Sequence, residues 1–330
     1  ELRIEDLIPD ETAIITITHS GYIKRTSLDL YRQQRRGGKG VSGIETKEED
    51  FVEDLFVASS HDYILFFTEN GRIHWLKVYE IPQAGRYSMG KAIVNLLDLR
   101  PDEKIATLIR VRDFNQPLSV VLVTKEGTIK KTSLDAFANP RRGGIAAITI
   151  GDKDVLVAAR LVSAKDDLFL ATRLGQSIRF HASQIRDMGR TAQGVRGIRL
   201  GKHDAVVGME IFKEDGTILI VTEKGYGKRT LMSQYRVQSR GGKGVITMKT
   251  KDRNGPLVNA LSIKDNDEVM MISTKGKMIR TRVNGISVIG RNTQGVRVLS
   301  LDGSDKLVAV CKVIAEESEK VDEIAKGEDA

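Results

Sequence analysis

The sequence predicts an all-β fold of six four-stranded blades arranged as a ring or shallow spiral. Three observations predict it. A short apolar run ending in Thr or Ser, then two residues, then Gly, occurs six times in the 330 residues. A second landmark, glycine in five copies, stands nineteen residues beyond the first in all six. Each copy then closes on another short run rich in β-branched residues, which reads as strand and not helix.

The first landmark reads IITITHSG ending at Gly21, ILFFTENG at Gly71, VVLVTKEG at Gly127, LFLATRLG at Gly175, ILIVTEKG at Gly225 and VMMISTKG at Gly276. The mean interval is 51 residues, so the copies begin near 12, 62, 118, 166, 216 and 267. Between that run and an alternating stretch such as YIKRTS (22–27), T-x-x-G reads as a hairpin turn whose glycine accepts positive φ. Four residues after the glycine stands a cation in five of the six copies: Arg25 (preceded by Lys24), Lys131, Arg179, Arg229 and Arg280, with Trp75 the exception. The second landmarks are Gly40, Gly90, Ala146, Gly194, Gly244 and Gly295, each followed four residues on by an apolar side chain. Closing runs include FVEDLFVA (51–58), DVLVAARL (154–161), LVNALSI (257–263) and LVAVCKVI (307–314). Roughly four strands per copy at this period suit radial blades. Separate small domains fit poorly, because one blade cannot bury both its faces alone. The repeats occupy residues 10–315, and 316–330 form an acidic tail expected to be disordered.

Net charge is +8, with a sequence pI near 9.4. The tail holds seven acids and two lysines, a net −5, which leaves residues 1–315 at +13. Such a body suggests a polyanionic partner, and the tail can compete for the same surface. Cys311 is the only cysteine, so no internal disulfide is possible. No apolar run approaches the roughly 20 residues of a membrane span, and no signal peptide is evident. A cytoplasmic, nucleoid-associated protein without membrane contact is expected. The chain begins at Glu1 rather than Met, so a piece of a longer protein is expected.

Residues 38–43, GKGVSG, match G-x-G-x-x-G in form. A dinucleotide loop needs a strand directly before it and a helix directly after. Here charged YRQQRR precedes and IETKEEDF follows, so the context fails, as it does for a P-loop. The equivalent stretches say more. Copies three and five read NPRRGGIA (139–146) and QSRGGKG (238–244). Copies two, four and six read AGRYSMG (84–90), MGRTAQG (188–194) and IGRNTQG (289–295). Every copy thus has arginine here: Arg35 and Arg36, Arg86, Arg141 and Arg142, Arg190, Arg240 (with Lys243) and Arg291. In a radial array these turns line a rim, joined by the cations near each first glycine. Single-stranded nucleic acid calls for aromatic platforms, yet aromatics are 5% of the chain and Trp occurs once. No element suited to reading the major groove is evident. Glycine-backed arginines and lysines suit phosphate contacts to bent double-stranded DNA.

QRRGGKG at Gln34–Gly40 resembles the signature box of the C-terminal domain of the bacterial DNA gyrase A protein, and the six-fold repeat extends that resemblance over about residues 10 to 315. The resemblance implies a six-bladed β-pinwheel whose neighbouring blades exchange strands and whose perimeter wraps DNA with positive handedness. It also implies that strand passage is directed toward negative supercoils at the expense of ATP. The implied partners are double-stranded DNA, the gyrase B protein, and the catalytic N-terminal part of the polypeptide to which such a domain is joined. Carried over, the box is Gln34, Arg35, Arg36, Gly37, Gly38, Lys39 and Gly40. The related domain of topoisomerase IV lacks an intact box, which favours gyrase. Copy five departs from the pattern with a near-duplicate, Gln238-Ser239-Arg240-Gly241-Gly242-Lys243-Gly244. The nucleophilic tyrosine and the ATPase of the family lie in parts this chain does not resemble, so no enzymatic activity and no cofactor are expected of it.

The remaining polar residues supply no catalytic pattern either. His19, His61, His74, His181 and His203 lack metal-ligand spacing and read as ordinary surface histidines, so no metal site is expected. Asp166-Asp167 reads as a solvated turn. Two rival readings stay open: a propeller scaffold binding an acidic protein on one face, and an enzyme seated in a central channel.

Overall fold

The computed structural model describes residues 7–27, 50, 52–85, 88–212, 216–275 and 278–313. Six antiparallel sheets form a six-bladed β-propeller, one per sequence repeat. Each blade is built the same way. In the third, a hairpin of Ser119–Thr124 and Thr128–Ser133 pairs on one side with the closing strand Leu156–Val162. On the other side it receives a two-residue strand, Val195–Arg196, supplied by the fourth copy. Lys91–Ala92, Ile145–Ala146, Val245–Ile246 and Val296–Arg297 likewise join the sheets of the first, second, fourth and fifth blades. Neighbouring blades therefore exchange strands. The sixth sheet has three strands among the described residues, Met278–Arg282, Glu268–Ser273 and Leu307–Val313.

From the second blade to the sixth, closing strands of successive blades pack against one another, and Leu307–Val313 of the last packs against Val52–Ser59 of the first, while the first and second blades meet through Ile15, Ile17 and Ala58 against Ile64 and Phe66. The closing strands are thus the hub of a closed ring. The exchanged strands lie at the opposite sheet edge, the perimeter. First strands sit between, covered on both faces, which explains why they read as continuous apolar runs. Leu65, Phe67, Ile73 and Phe137 pack in one inter-blade cluster, and Leu168, Leu170, Ile178 and Phe180 in the next. Each such side chain contributes about 1.5–3 kcal/mol on burial, so the core lies between blades and not within them.

The recurrent T-x-x-G has a local cause. Gly71 adopts φ +79° and donates its N–H to Thr68 O at 2.9 Å, closing the hairpin. The Thr68 hydroxyl accepts the next N–H, from Arg72, at 3.2 Å. The same hydroxyl contact recurs at Thr18, Thr124 and Thr172, so this buried threonine satisfies a backbone donor that the turn would orphan.

One landmark needs correction. The glycines with positive φ that precede the exchanged strands are Gly90, Gly144, Gly194, Gly244 and Gly295. In the third copy that place belongs to Gly144, because its loop is two residues shorter and Ala146 lies inside the exchanged strand. A Cβ at Gly144 would stand 2.6 Å from the His74 ring.

Candidate nucleic-acid interface

Two sets of cations emerge. The first comprises the cations four residues after each turn glycine, and these were expected on the rim. Instead their side chains reach into the next blade. Arg25 Nε donates to Ile81 O at 3.2 Å, Arg179 Nη1 to Tyr235 O at 3.0 Å and Arg229 Nε to Ile286 O at 2.8 Å. Lys131 Nζ reaches Ala182 O at 3.5 Å and Asp187 at 3.5 Å. Trp75 Nε1 donates to Phe137 O at 2.9 Å, so an uncharged indole does the same work. Each target lies in or just after the short 3-10 helix of the following copy. These side chains are inter-blade struts, and the rim expectation for them is corrected: Lys131 and Arg229 are 9% and 6% exposed. Arg280 is more open and pairs with Glu268. Lys24, also expected on the rim, is buried.

The second set lies in the glycine-rich loops, and these do reach the perimeter. Arg141, Arg142 and Lys243 are exposed, and Arg190, Arg240 and Arg291 are half-buried. The loops are joined from copy to copy. Arg240 Nη1 donates to Arg196 O at 2.6 Å, and Arg291 Nη1 to Ile246 O at 2.9 Å, each on the preceding blade's side of the junction. Arg199 N donates to Gly242 O and Lys249 N to Thr293 O, both at 2.8 Å. Gln184 Oε1 and Gln234 Oε1 accept the backbone N–H groups of Arg240 and Arg291. The perimeter is thus a hydrogen-bonded belt whose cations are held in register by backbone. Gln34–Gly40, Arg86 and the acidic tail lie outside the described residues.

Charge pairing separates hub from belt. Near the hub, Arg160 pairs with Glu210 between adjacent closing strands at 3.2 Å, Arg110 with Asp62 at 2.8 Å, and Lys312 with Asp267 at 2.5 Å. Among the described residues, Arg190, Arg240, Lys243 and Arg291 pair with no carboxylate, and Arg142 lies 4.0 Å from Asp98 with its side chain 96% exposed. Sequence reasoning missed further belt cations: Arg196, Arg199, Lys249, Arg253 and Arg297 are all exposed. Arg196 and Arg297 are the second residues of exchanged strands, which only the exchange reveals. Arg253 and Arg297 both hydrogen-bond the Tyr226 hydroxyl, at 3.4 and 3.1 Å, and lower its pKa in that order.

Two side chains differ from their expected setting. His74 is buried, with Nε2 3.1 Å from Glu103, and desolvation lowers its pKa. Asp167 is also buried, because Arg179 Nε donates to it at 2.7 Å. Among the described residues no cluster of three His, Cys, Asp or Glu could hold a metal, and no helix is long and apolar enough to cross a membrane.

The family model described as "DNA gyrase C-terminal domain, beta-propeller" matches residues 12–59, 62–112, 119–163, 166–213, 216–264 and 267–310. The DNA gyrase A protein of Clostridium acetobutylicum is 47% identical over 98% of this chain, and that of Escherichia coli K12 is 43% identical over 98%. The chain spans 39% and 36% of those two proteins. A solved DNA gyrase A C-terminal domain superposes with TM-score 0.69 at 30% identity, covering 92% of this chain and all of that one. A DNA topoisomerase IV C-terminal domain superposes with TM-score 0.86 at 25% identity, covering 98% and 100%. Six copies, each matched in turn, place this chain in the DNA gyrase C-terminal domain, β-propeller family.

Proposed function

We propose that the chain binds double-stranded DNA without sequence preference, bends it, and wraps it with positive handedness around the belt. The observation that carries this reading is the segregation of charge: cations near the hub are neutralised by acids, whereas the loop cations at the perimeter are held in register and left for an external anion. It favours the perimeter over a face-binding scaffold for an acidic protein. Bending 20–30 bp by 40–90° costs on the order of 1–6 kcal/mol. Counterion release offsets that cost, each neutralised phosphate contributing about −0.9 to the slope of log affinity against log salt.

Within a gyrase, such a wrap presents the duplex for passage in the direction that introduces negative supercoils, with ATP hydrolysis and the nucleophilic tyrosine on parts outside this chain. Its partners are then the gyrase B protein and the catalytic N-terminal part of the gyrase A protein, in the bacterial cytoplasm at the nucleoid, and the chain itself needs no cofactor. Gln34–Gly40 favour gyrase over topoisomerase IV. The test is topological. The chain is bound to relaxed circular DNA at low salt, the DNA is relaxed by a type I topoisomerase, and the linking number is measured after stripping the protein. A positive change supports the reading, and binding without any change overturns it. Alanines at Arg35, Arg36 and Lys39 are expected to reduce the linking change more than affinity.

A further inference from the structure

The two loop classes alternate around the ring, and so does the residue three positions after each turn glycine. Copies one, three and five carry Lys24, Lys130 and Lys228 there, and the following copies carry the Gly-Arg loops of 85–90, 189–194 and 290–295. Copies two, four and six carry His74, Ile178 and Ile279, and the copies that follow carry RGG loops. The structure gives a physical reason. Lys130 Nζ donates to Gly189 O at 2.9 Å, to Arg190 O, and to Ala147 O at 2.5 Å. Lys228 Nζ donates to Gly290 O at 2.7 Å, Arg291 O at 2.5 Å and Thr293 Oγ1 at 3.1 Å. Both lysines are fully buried, and all three ammonium protons are used. The RGG loops instead press glycine toward a side chain that donates nothing comparable: a Cβ at Gly144 would meet the His74 ring, and one at Gly242 or Gly244 would stand 3.7 or 3.5 Å from Ile178.

We propose that Lys130 and Lys228 are positioning residues for DNA: their ammonium groups draw the carbonyls of Gly189–Arg190 and Gly290–Arg291 inward and so hold Arg190 and Arg291 on the belt. The inference rests on the DNA-binding reading above. Inward carbonyls remove from the outer surface the acceptor dipoles that repel phosphate. The buried charge also senses the loop arginine. Burial first, then the neighbouring Arg190, pulls Lys130 down to about 8. Burial first, then Arg291, pulls Lys228 down to about 7. Lys24 occupies the same strand position and is buried too, against Gly90, whose Cβ would stand 2.9 Å from Lys24 Cβ.

The test is a double-mutant cycle on binding of linear duplex DNA across a salt series, with Arg190→Ala, Lys130→Met and the pair, and likewise Arg291→Ala, Lys228→Met and the pair. Arg190→Ala is expected to reduce the salt slope by about 0.9, one phosphate. Lys130→Met is expected to lose the same slope and affinity although it touches no solvent, and the pair to lose no more than either alone. Should a methionine variant fail to fold, Lys130→Ile and Lys228→Ile install the side chain that Ile178 already supplies at this position. Amide exchange of 189–194 is expected to speed up while the hairpin of Asp167–Thr172 and Gln176–His181 keeps its protection. If the arginine variants bind as the parent does, DNA does not use these loops and the reading above fails there with the inference. If the arginine variants weaken binding but the lysine variants do not, or the losses add, the inference alone is overturned.

Discussion

Replacing Arg229 by Met separates a strut from a DNA ligand. The residue is 6% exposed, and its Nε–H is donated to Ile286 O at 2.8 Å across the junction of the fifth and sixth blades. Methionine keeps most of the volume but leaves that carbonyl without its donor, at a cost of about 1–3 kcal/mol for a buried acceptor. Loss of the ion pair with Asp265 adds little, because the Asp265 side chain is 77% exposed and solvent screens it. Removing a buried guanidinium also recovers desolvation energy, which pulls the net toward the lower end of the range. A destabilisation of about 1 kcal/mol lowers Tm by roughly 1.5 °C in a chain of 330 residues, at about 2.1 cal/mol/K of unfolding entropy per residue. Thermal melting and the salt slope of DNA affinity are measured together. The expected outcome is a lower Tm with an unchanged slope. A slope reduced by about 0.9 at unchanged Tm would refute the strut assignment, since it would mean that the guanidinium contacts a phosphate.

Gly144→Ala is expected to destabilise by about 1–2 kcal/mol from its φ of +66° alone, and by more from the His74 contact at 2.6 Å. The control Gly143→Ala, with nothing within 4 Å of the new Cβ, is expected to sit within about 0.5 kcal/mol of the parent, and equal denaturation midpoints for the two would contradict the packing. Lys228 binds its proton less tightly folded (about 7) than unfolded, where it titrates at its ordinary value of 10.5. The unfolded chain therefore holds more protons between those values. Its contribution to stability rises with pH across that window and is lost as pH falls toward about 7, by up to about 1.4 kcal/mol per pH unit. Urea midpoints at several pH values, parent minus Lys228→Met, are expected to show that slope, and a pH-independent difference would sink it. The Tyr226→Phe variant is expected to weaken the hold on Arg253 and Arg297, read as higher flexibility of both guanidiniums by nitrogen-detected NMR, with the fold intact.

Much of this protein is decided locally. T-x-x-G makes a hairpin because glycine alone accepts φ near +80° at no steric cost and the threonine hydroxyl meets the next N–H, as at Gly71 and Thr68. Six such hairpins at near-constant spacing require six blades, and continuous apolar first strands require cover on both faces. The basic loops and their glycines were equally legible, because charge and absence of side chain are properties of residues. Tertiary structure decided where each charge points. A cation on a pleated strand can face solvent or a neighbouring blade with the same sequence around it. Only the exchange of strands sends Arg229 toward Ile286 and Lys228 beneath Arg291, while leaving Arg196 and Arg297 outside. Constant spacing also misplaced one landmark, since a two-residue deletion before Gly144 is invisible until pairing of Ala146 with Arg72 sets the register. Partners come from another copy, 62 residues away for Lys228 and Gly290 and 71 for Arg72 and Gly143, a distance that no local pattern encodes.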